Sequence, residues 1–266
     1  MGARLGVVSY LNTRPLVEAL RRDAIDHDFE LIYDVPSLCA DRLHKGETDV
    51  ALIPAAEVGR GDDLYQIVPN IGIVSNGPVG SVFIVLGDKD PKDIQTLALD
   101  SGSRTSVVLS QVILARQFDC CPKVFVHSPD VDEMLQKADA ALVIGDPALE
   151  LDLDRYRVLD LGELWTQITG LPFVYACWTG RDGAVTSGEV SKLIEAKEKG
   201  GSYIGDIAEV YASETNTLSP DFYAAYLTEN ILFDLGGAEL EGLKLFYAYG
   251  TELGLIKVVP DIQFYS

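Results

Sequence analysis

Three loops of the sequence bring together hydroxyl, amide and charged side chains, each directly after a short apolar segment. The first is SYLNT at residues 9–13. Asn12 can both donate and accept hydrogen bonds and Ser9 adds a hydroxyl, so this loop could orient a polar substrate. Asn12 or Thr13 could instead cap a helix that has Pro15 in its first turn. Spacing alone favours the cap, and both roles stay open.

The second loop, SGSRTS at residues 101–106, lies between a predicted strand that ends at Asp100 and a predicted helix. Its hydroxyls, the Arg104 guanidinium and the free N–H groups of a helix start could together bind an anion. A carboxylate suits such a receptor, because Arg104 can hold both of its oxygens. Capping by Ser103 or Thr105 is the ordinary alternative. Four consecutive polar residues exceed what a cap needs, so we predict an anion site at Ser103, Arg104, Thr105 and Ser106.

The third loop, GDPA at residues 145–148, follows a predicted buried strand. Asp146 stands where a carboxylate could contact a ligand or accept a proton. It could equally cap the next helix, with Pro147 at the first helical position, and the two roles are compatible. A further segment, SNGPVGS at residues 75–81, contains glycines that let the backbone approach a ligand closely. A plain turn would explain that segment too, so it is position rather than composition that makes Ser81 a candidate.

Several motifs of common enzymes do not occur in the sequence. There is no GxSxG, GxGxxG or Walker A pattern. The three histidines stand at no metal-ligand spacing from the four cysteines, which we expect to be free thiols. We therefore predict no cofactor and no metal, and we expect any chemistry to use amides, hydroxyls and at most one carboxylate.

The composition limits the possible partners. The 41 acidic and 21 basic residues give a net charge of −20, which argues against nucleic acid and anionic membranes as partners. A local cluster of donors can still bind a small anion. No apolar run is long enough to span a bilayer, and the first residues lack the features of an export signal. We expect a cytoplasmic protein with a small-molecule partner, and the sequence does not indicate its oligomeric state.

Short apolar strands alternate with helical segments in two stretches, which predicts an α/β fold with parallel strands. The first stretch has such elements at 4–9, 13–22, 29–35, 36–45 and 50–53, and the second at 96–100, 105–118, 124–127, 131–137 and 140–144. Residues 68–80 are rich in glycine, proline and asparagine, which interrupt helices and strands. Residues 81–86 and 173–178 are predicted to be the two segments in which the chain crosses between lobes, and mainly helical residues follow from 187. We predict one lobe from 1–82 and 178–266, a second from 83–177, and a ligand cleft between them.

Taken together, three segments resemble the chorismate dehydratases of menaquinone biosynthesis by the futalosine route. They are RLGVVSYLNTRPL at residues 4–16, SGSRTSV at 101–107 and ALVIGDPAL at 141–149. Their order and spacing agree, and the resemblance covers the whole chain length. It implies a two-lobed α/β fold of the type 2 periplasmic-binding-protein kind. The sister enzyme of that route, 1,4-dihydroxy-6-naphthoate synthase, typically starts with a Ser-Pro-Cys-Pro-Asn-Asp type segment, which this chain lacks.

The resemblance also implies a reaction, the conversion of chorismate, a dicarboxylate, into 3-((1-carboxyvinyl)oxy)benzoate and water without a cofactor. We expect residues 103–106 to bind one carboxylate of the substrate. We expect Asn12, Ser9 and Ser81 to contact the other polar groups of the substrate. Asp146 is the candidate protein base. Alternatively, a substrate carboxylate takes the proton while Asn12 stabilises the developing charge. The other functions kept open are that of the sister enzyme and carboxylate binding without catalysis.

Overall fold

The computed structural model describes residues 2–58 and 65–266, which form two β-sheets covered by helices. In chain order the strands are β1 Arg4–Val8, β2 Glu30–Asp34, β3 Val50–Pro54, β4 Tyr65–Ser75, β5 Val82–Leu86, β6 Thr96–Asp100, β7 Lys123–His127, β8 Ala140–Ile144, β9 Arg157–Asp160, β10 Phe173–Arg181 and β11 Gln263–Phe264. The helices are α1 Arg14–Arg21, α2 Pro36–Lys45, α3 Ala55–Val58, α4 Thr105–Phe118, α5 Val131–Lys137, α6 Asp146–Leu149, α7 Leu161–Thr169, α8 Ser187–Gly200, α9 Ile204–Thr215, α10 Pro220–Ala225 and α11 Gly237–Glu252.

The first sheet has the strand order β11-β4-β10-β3-β1-β2. Strand β1 pairs in parallel with both β2 and β3, and α1 and α2 lie in the connections between them. This is the parallel arrangement that the alternation of strands and helices predicts. Strand β10 is antiparallel to its neighbours β3 and β4.

The second sheet has the strand order β7-β6-β8-β5-β9. Strand β6 is parallel to β7 and β8, and α4 and α5 lie in the connections between these strands. Strand β5 enters from the first sheet and runs antiparallel to β8 and β9. The two sheets confirm the predicted α/β fold class.

The chain passes from the first sheet to the second between β4 and β5, and it returns between β9 and β10. Strand β10 pairs within the first sheet from Phe173 onward. The lobe boundaries at residues 82 and 178 stay a prediction. The carboxyl ends of β1, β3, β6 and β8 come together where the two sheets meet, and this is the position in α/β proteins where ligands bind.

One long strand and four further elements were missed by the sequence interpretation. Breaker-rich residues 68–75 belong to β4, which continues through Pro69 and Gly72. The pairing with β10 shifts register there, and Asn70 has a φ of 64°, so a bulge accommodates the proline that cannot donate to the ladder. The four further elements are strands β9 and β11 and helices α3 and α7.

The C-terminal helices join the two sheets. Helix α8 packs on α1 and β4, whereas α11 packs on β10 and also on α4. One hydrophobic cluster accordingly includes Leu52 of β3 and Leu142 of β8. Among the described helices, none is both long enough and apolar enough to cross a membrane. The four cysteines form no disulfide, and Cys121 is the exposed one.

Candidate functional site

A cleft of about 560 Å³, including space open to solvent, lies where loops from the two sheets meet. Six of the eight residues singled out from the sequence line it: Asn12, Ser81, Ser103, Arg104, Thr105 and Ser106. The other two residues, Ser9 and Asp146, do not. Ser9 is exposed and borders a separate surface groove together with Arg14. The loops after β1, β6 and β8 therefore converge, as expected, but not every polar residue in them faces the cleft.

Asn12 and Ser81 are linked through a tyrosine that the sequence did not indicate. The Tyr226 hydroxyl lies 2.9 Å from Ser81 Oγ, and it also hydrogen-bonds the Asn12 side chain. The Thr13 hydroxyl donates to Asn12 Oδ1 over 3.4 Å. Burial raises the pKa of Tyr226 above its usual range, so this phenol stays neutral. Asn12 and Ser81 are thus held side by side at the cleft by neutral groups.

The start of α4 presents several donors to the cleft. Within the described part of the chain, the buried Ser103 hydroxyl has no hydrogen-bond partner. The first N–H groups of a helix have no partner inside the helix, and its dipole favours an anion there. The Thr105 hydroxyl is engaged elsewhere, because it donates to Tyr175 O and accepts from Ala56 N. Thr105 can therefore offer a ligand its backbone N–H, whereas Ser103 can offer its side chain.

Arg104 lies at the same end of α4. Its Nη1 donates to Ser103 O over 3.2 Å, and its Nε lies 3.5 Å from the Glu57 carboxylate. Glu57 is 8% exposed, so this pair is partly shielded from water. Arg104 is the one positively charged residue among those that line the described cleft. Its guanidinium supplies positive charge beside Ser103 in a protein with a large acidic excess.

Asp146 lies behind the first loop rather than in the cleft. Its Oδ1 accepts from Leu11 N over 3.0 Å, and the Tyr211 hydroxyl donates to the same carboxylate. Burial raises the pKa of Asp146 to about 6, although both hydrogen bonds act in the opposite direction. The alternative that Asp146 caps its helix, which the sequence left open beside a role in the site, is wrong. Gly145 holds the cap position of α6, and no side chain caps that helix within the described residues.

Tyr10 joins the first loop to the two loops of the second sheet. A Cβ atom at Gly102 would lie 3.4 Å from the Tyr10 hydroxyl, and one at Gly145 would collide with the Tyr10 ring. Gly145 also has a φ of 66°, a conformation that favours glycine. Tyr10 belongs to the SYLNT segment. The one sequence signal that could have identified it as a site residue is its aromatic ring next to the polar candidates of that segment.

Buried polar groups that the sequence interpretation missed support these loops. Asp100, at the end of β6, accepts from the N–H groups of Gly102 and Ile144. Tyr175 lines the cleft and its hydroxyl lies 3.0 Å from Ser75 Oγ. The hydrogen-bond partners of Asp100 and Tyr175 are either distant in the sequence or backbone groups. A local sequence pattern therefore does not predict that these two residues support the loops. Within residues 2–58 and 65–266, no group of three His, Cys, Asp or Glu residues is placed to hold a metal ion.

Comparison with known proteins gives a family and a fold. A family model described as menaquinone biosynthesis matches residues 3–252. A chorismate dehydratase of Thermus thermophilus is 28% identical over 94% of this chain and 95% of its own length. A chorismate dehydratase of Campylobacter jejuni is 27% identical over 91% of this chain and 94% of its own length.

Solved structures with the same fold are more distant in sequence. Protein AF1704 of Archaeoglobus fulgidus superposes with a TM-score of 0.76 at 16% identity, covering 96% of this chain and 98% of its own. The periplasmic aliphatic sulphonate binding protein SsuA of Escherichia coli has a TM-score of 0.68 at 18% identity, covering 99% and 92%. The fold is that of periplasmic binding proteins.

Proposed function

The chain belongs to the menaquinone biosynthesis family, and within it we propose that this protein is a chorismate dehydratase, a lyase that releases water from chorismate. The observation that carries this proposal is the similarity to two chorismate dehydratases over more than nine-tenths of the chain. The cleft between the two sheets supports it, because within largely apolar walls it offers amide and hydroxyl donors to an anion. The product is 3-((1-carboxyvinyl)oxy)benzoate.

The reaction removes a proton from the ring carbon that carries the ether and hydroxide from the neighbouring carbon. The electrons of the C–H bond become a ring double bond as the C–O bond breaks, and proton and hydroxide together form water. The new ring is aromatic, which drives the elimination. Since the change is redox-neutral, the protein has to bind the dianion, accept one proton and assist the leaving hydroxide.

We assign one substrate carboxylate to the start of α4. Ser103, Thr105 and Ser106 line the cleft there, and the Ser103 hydroxyl has no hydrogen-bond partner among the described residues. Arg104 contributes positive charge, while its contacts with Glu57 and Ser103 O hold its guanidinium beside the site. A carboxylate bound at this point gains from the helix dipole as well as from direct hydrogen bonds.

We assign proton transfer to a carboxylate of the substrate itself, with Asn12 and Ser81 stabilising the charge that develops. Two observations support this over Asp146. The Asp146 carboxyl already accepts hydrogen bonds from Leu11 N and Tyr211, and it is not among the residues that line the cleft. Asp146 then holds the first loop, and so Asn12, in place.

The test of the function is direct. Purified protein incubated with chorismate should yield an aromatic product lower in mass by one water, followed by absorbance and mass spectrometry. Asn12→Ala should lose most of this activity. If the protein bound chorismate but released no product, the proposal would be wrong, and the protein would be a carboxylate-binding protein rather than an enzyme. Turnover of Asp146→Asn separates the two proton acceptors, because loss of a protein base costs a factor of about 100 or more.

Location and partners follow from this function. We propose that the enzyme works in the cytoplasm, where a biosynthetic enzyme meets its substrate, with chorismate as its partner and neither nucleic acid nor membrane engaged. Fractionation of the native host with an antibody against the chain tests the location. Activity recovered in a periplasmic or extracellular fraction would contradict it.

A further inference from the structure

The last residues of α10 open into a wider turn. Residues Tyr226–Asn230 form a π-helical turn, in which Ile231 N donates to Tyr226 O five residues earlier, over 3.3 Å. Such turns are rare and they insert one extra residue, which rotates the side chains that follow. This one ends at a short antiparallel bridge between Leu232 and Val74 of β4. The turn therefore meets the chain just before it leaves the first sheet.

Both ends of the π-turn contact the segment that leads into β5. The Tyr226 hydroxyl lies 2.9 Å from Ser81 Oγ, and the Asn230 amide donates to Pro78 O over 3.0 Å. On the other side, the Asp160 carboxylate accepts from the N–H groups of Val79 and Gly80 at 3.1 and 2.8 Å. Residues 78–81 are thus fixed from two directions, and Ser81 has little freedom to move.

The Tyr226 hydroxyl has two polar neighbours, the side chains of Asn12 and Ser81. The Thr13 hydroxyl donates to Asn12 Oδ1, which leaves the Asn12 NH₂ group to face the Tyr226 oxygen. A phenol carries a single proton and can also accept, so either Tyr226 or Ser81 Oγ can donate in the hydrogen bond that joins them. In either arrangement this bond holds Ser81 at the cleft.

We propose that Tyr226 is a positioning residue of the active site, whose buried hydroxyl aligns Asn12 of the first loop with Ser81 of the crossing segment. The inference rests on the proposed dehydratase function. Asn12 and Ser81 lie 69 positions apart in the sequence, one after β1 and the other just before β5, and Tyr226 comes from a third part of the chain. Its hydroxyl contacts both, so it fixes their relative placement in a way that neither loop achieves alone.

The matched pair of variants is Tyr226→Phe and Tyr223→Phe. Both remove one buried hydroxyl from the same helical segment, but the Tyr223 hydroxyl contacts Glu150 and Thr215 away from the cleft. Tyr226→Phe should lower kcat about 10- to 100-fold with KM changed less than about 3-fold, since a lost buried hydrogen bond corresponds to that factor. Tyr223→Phe should leave both constants unchanged. Equal effects of the two substitutions would overturn the proposal.

A double-mutant cycle separates positioning from general destabilisation. If Tyr226 acts through Ser81, then Tyr226→Phe in a Ser81→Ala background should cost clearly less than it costs alone. Losses that multiply would mean that Tyr226 acts independently, and would overturn the proposal. If Tyr226→Phe does not fold, Asn230→Ala replaces it, because it loosens the exposed end of the same turn. Asn230→Ala should lower kcat at constant KM, and an unchanged kcat would count against the proposal.

Failure of the function looks different from failure of this inference. Wild-type protein that releases no product from chorismate contradicts the dehydratase assignment. Active wild-type protein with an equally active Tyr226→Phe variant contradicts the role of Tyr226 alone.

Discussion

Three helices that start at or beside the cleft differ from three others in how their first turns are capped, and within the described residues α2 and α9 also begin without a side-chain cap. Helices α5, α8 and α10 each begin with a side chain that accepts a hydrogen bond from the first turn, provided by Asp130, Thr186 and Ser219 respectively. Helices α1, α4 and α6 start at or beside the cleft, and their first residues include the same types. Within the described chain, none of these three receives a side-chain cap.

The difference shows where polar side chains are left available. A side-chain cap contributes about 1 kcal/mol to stability, so the three cleft helices forgo a gain that the other three realise. Asn12 instead contacts Tyr226, and Asp146 accepts from the backbone of another loop. Ser103 lines the cleft, and its hydroxyl has no partner among the residues that the structure describes. Asp160 is an intermediate case, because it caps α7 and also holds the N–H of Gly80 beside the cleft.

The largest expected effect is at Asn12. Asn12→Ala should lower kcat about 100- to 1,000-fold, the usual cost of losing a donor to developing negative charge. The free energy of unfolding should change by less than about 1 kcal/mol, because no helix cap is lost. Steady-state kinetics with chorismate and urea denaturation measure the two. An Asn12→Ala variant that is less stable but fully active would contradict the catalytic role and would mean that Asn12 caps the helix instead.

Asp146 should affect how stability depends on pH. Its folded-state pKa is raised to about 6 from 3.8, so the protonated carboxyl is favoured in the folded protein. Its contribution is fully present below about pH 4 and is lost as the pH rises through about 6. Relative to Asp146→Asn, the wild type should lose at most about 3 kcal/mol between pH 4 and pH 7.

Denaturation of both proteins across this pH range measures that loss. Tyr223→Phe serves as a control, since it alters a nearby hydrogen bond but leaves Asp146 in place. Parallel stability curves for wild type and Asp146→Asn would mean that Asp146 titrates as an ordinary carboxyl, and that its burial behind the first loop is not maintained in solution.

Ser103 should separate binding from stability. Ser103→Ala removes a buried hydroxyl that has no partner within the described residues, so the free energy of unfolding should stay unchanged or rise by about 1 kcal/mol. KM should rise about 10-fold, because the substrate carboxylate loses one donor at the start of α4. Kinetics and thermal melting compared with wild type measure both. A Ser103→Ala variant that is destabilised but has a normal KM would contradict the binding role and would mean that Ser103 caps α4.

Much of the fold follows from local pattern. Apolar strands alternating with amphipathic helices predicted the parallel parts of both sheets, because each period is set by backbone geometry. Strand β4 escaped because Pro69 and Gly72 are breakers in most contexts, and a bulge opposite β10 tolerates them here. That tolerance depends on a strand about 100 residues further along the chain.

The site was predictable only in part, for a related reason. Loops that follow strands marked five of the residues that line the cleft, since the carboxyl ends of parallel strands share one edge. The sixth, Ser81, was marked by its place at the start of the first crossing. Whether such residues cap a helix or face a ligand could not be decided, because both roles use the same side chains. Tyr211 contacts Asp146 from 65 positions away in the sequence, and Tyr226 contacts Asn12 from 214 positions away. No local pattern predicts contacts over such separations.

The smallest effect tests the other side of the comparison. Thr186 forms a capping box with Glu189 at the start of α8, far from the cleft residues. Thr186→Ala should lower the free energy of unfolding by about 1 kcal/mol. It should leave kcat and KM unchanged, because none of its partners lines the cleft. Urea denaturation and kinetics with chorismate measure this. If Thr186→Ala impaired turnover as Asn12→Ala does, capped and uncapped helix starts would not divide stability from function, because both would be needed for catalysis.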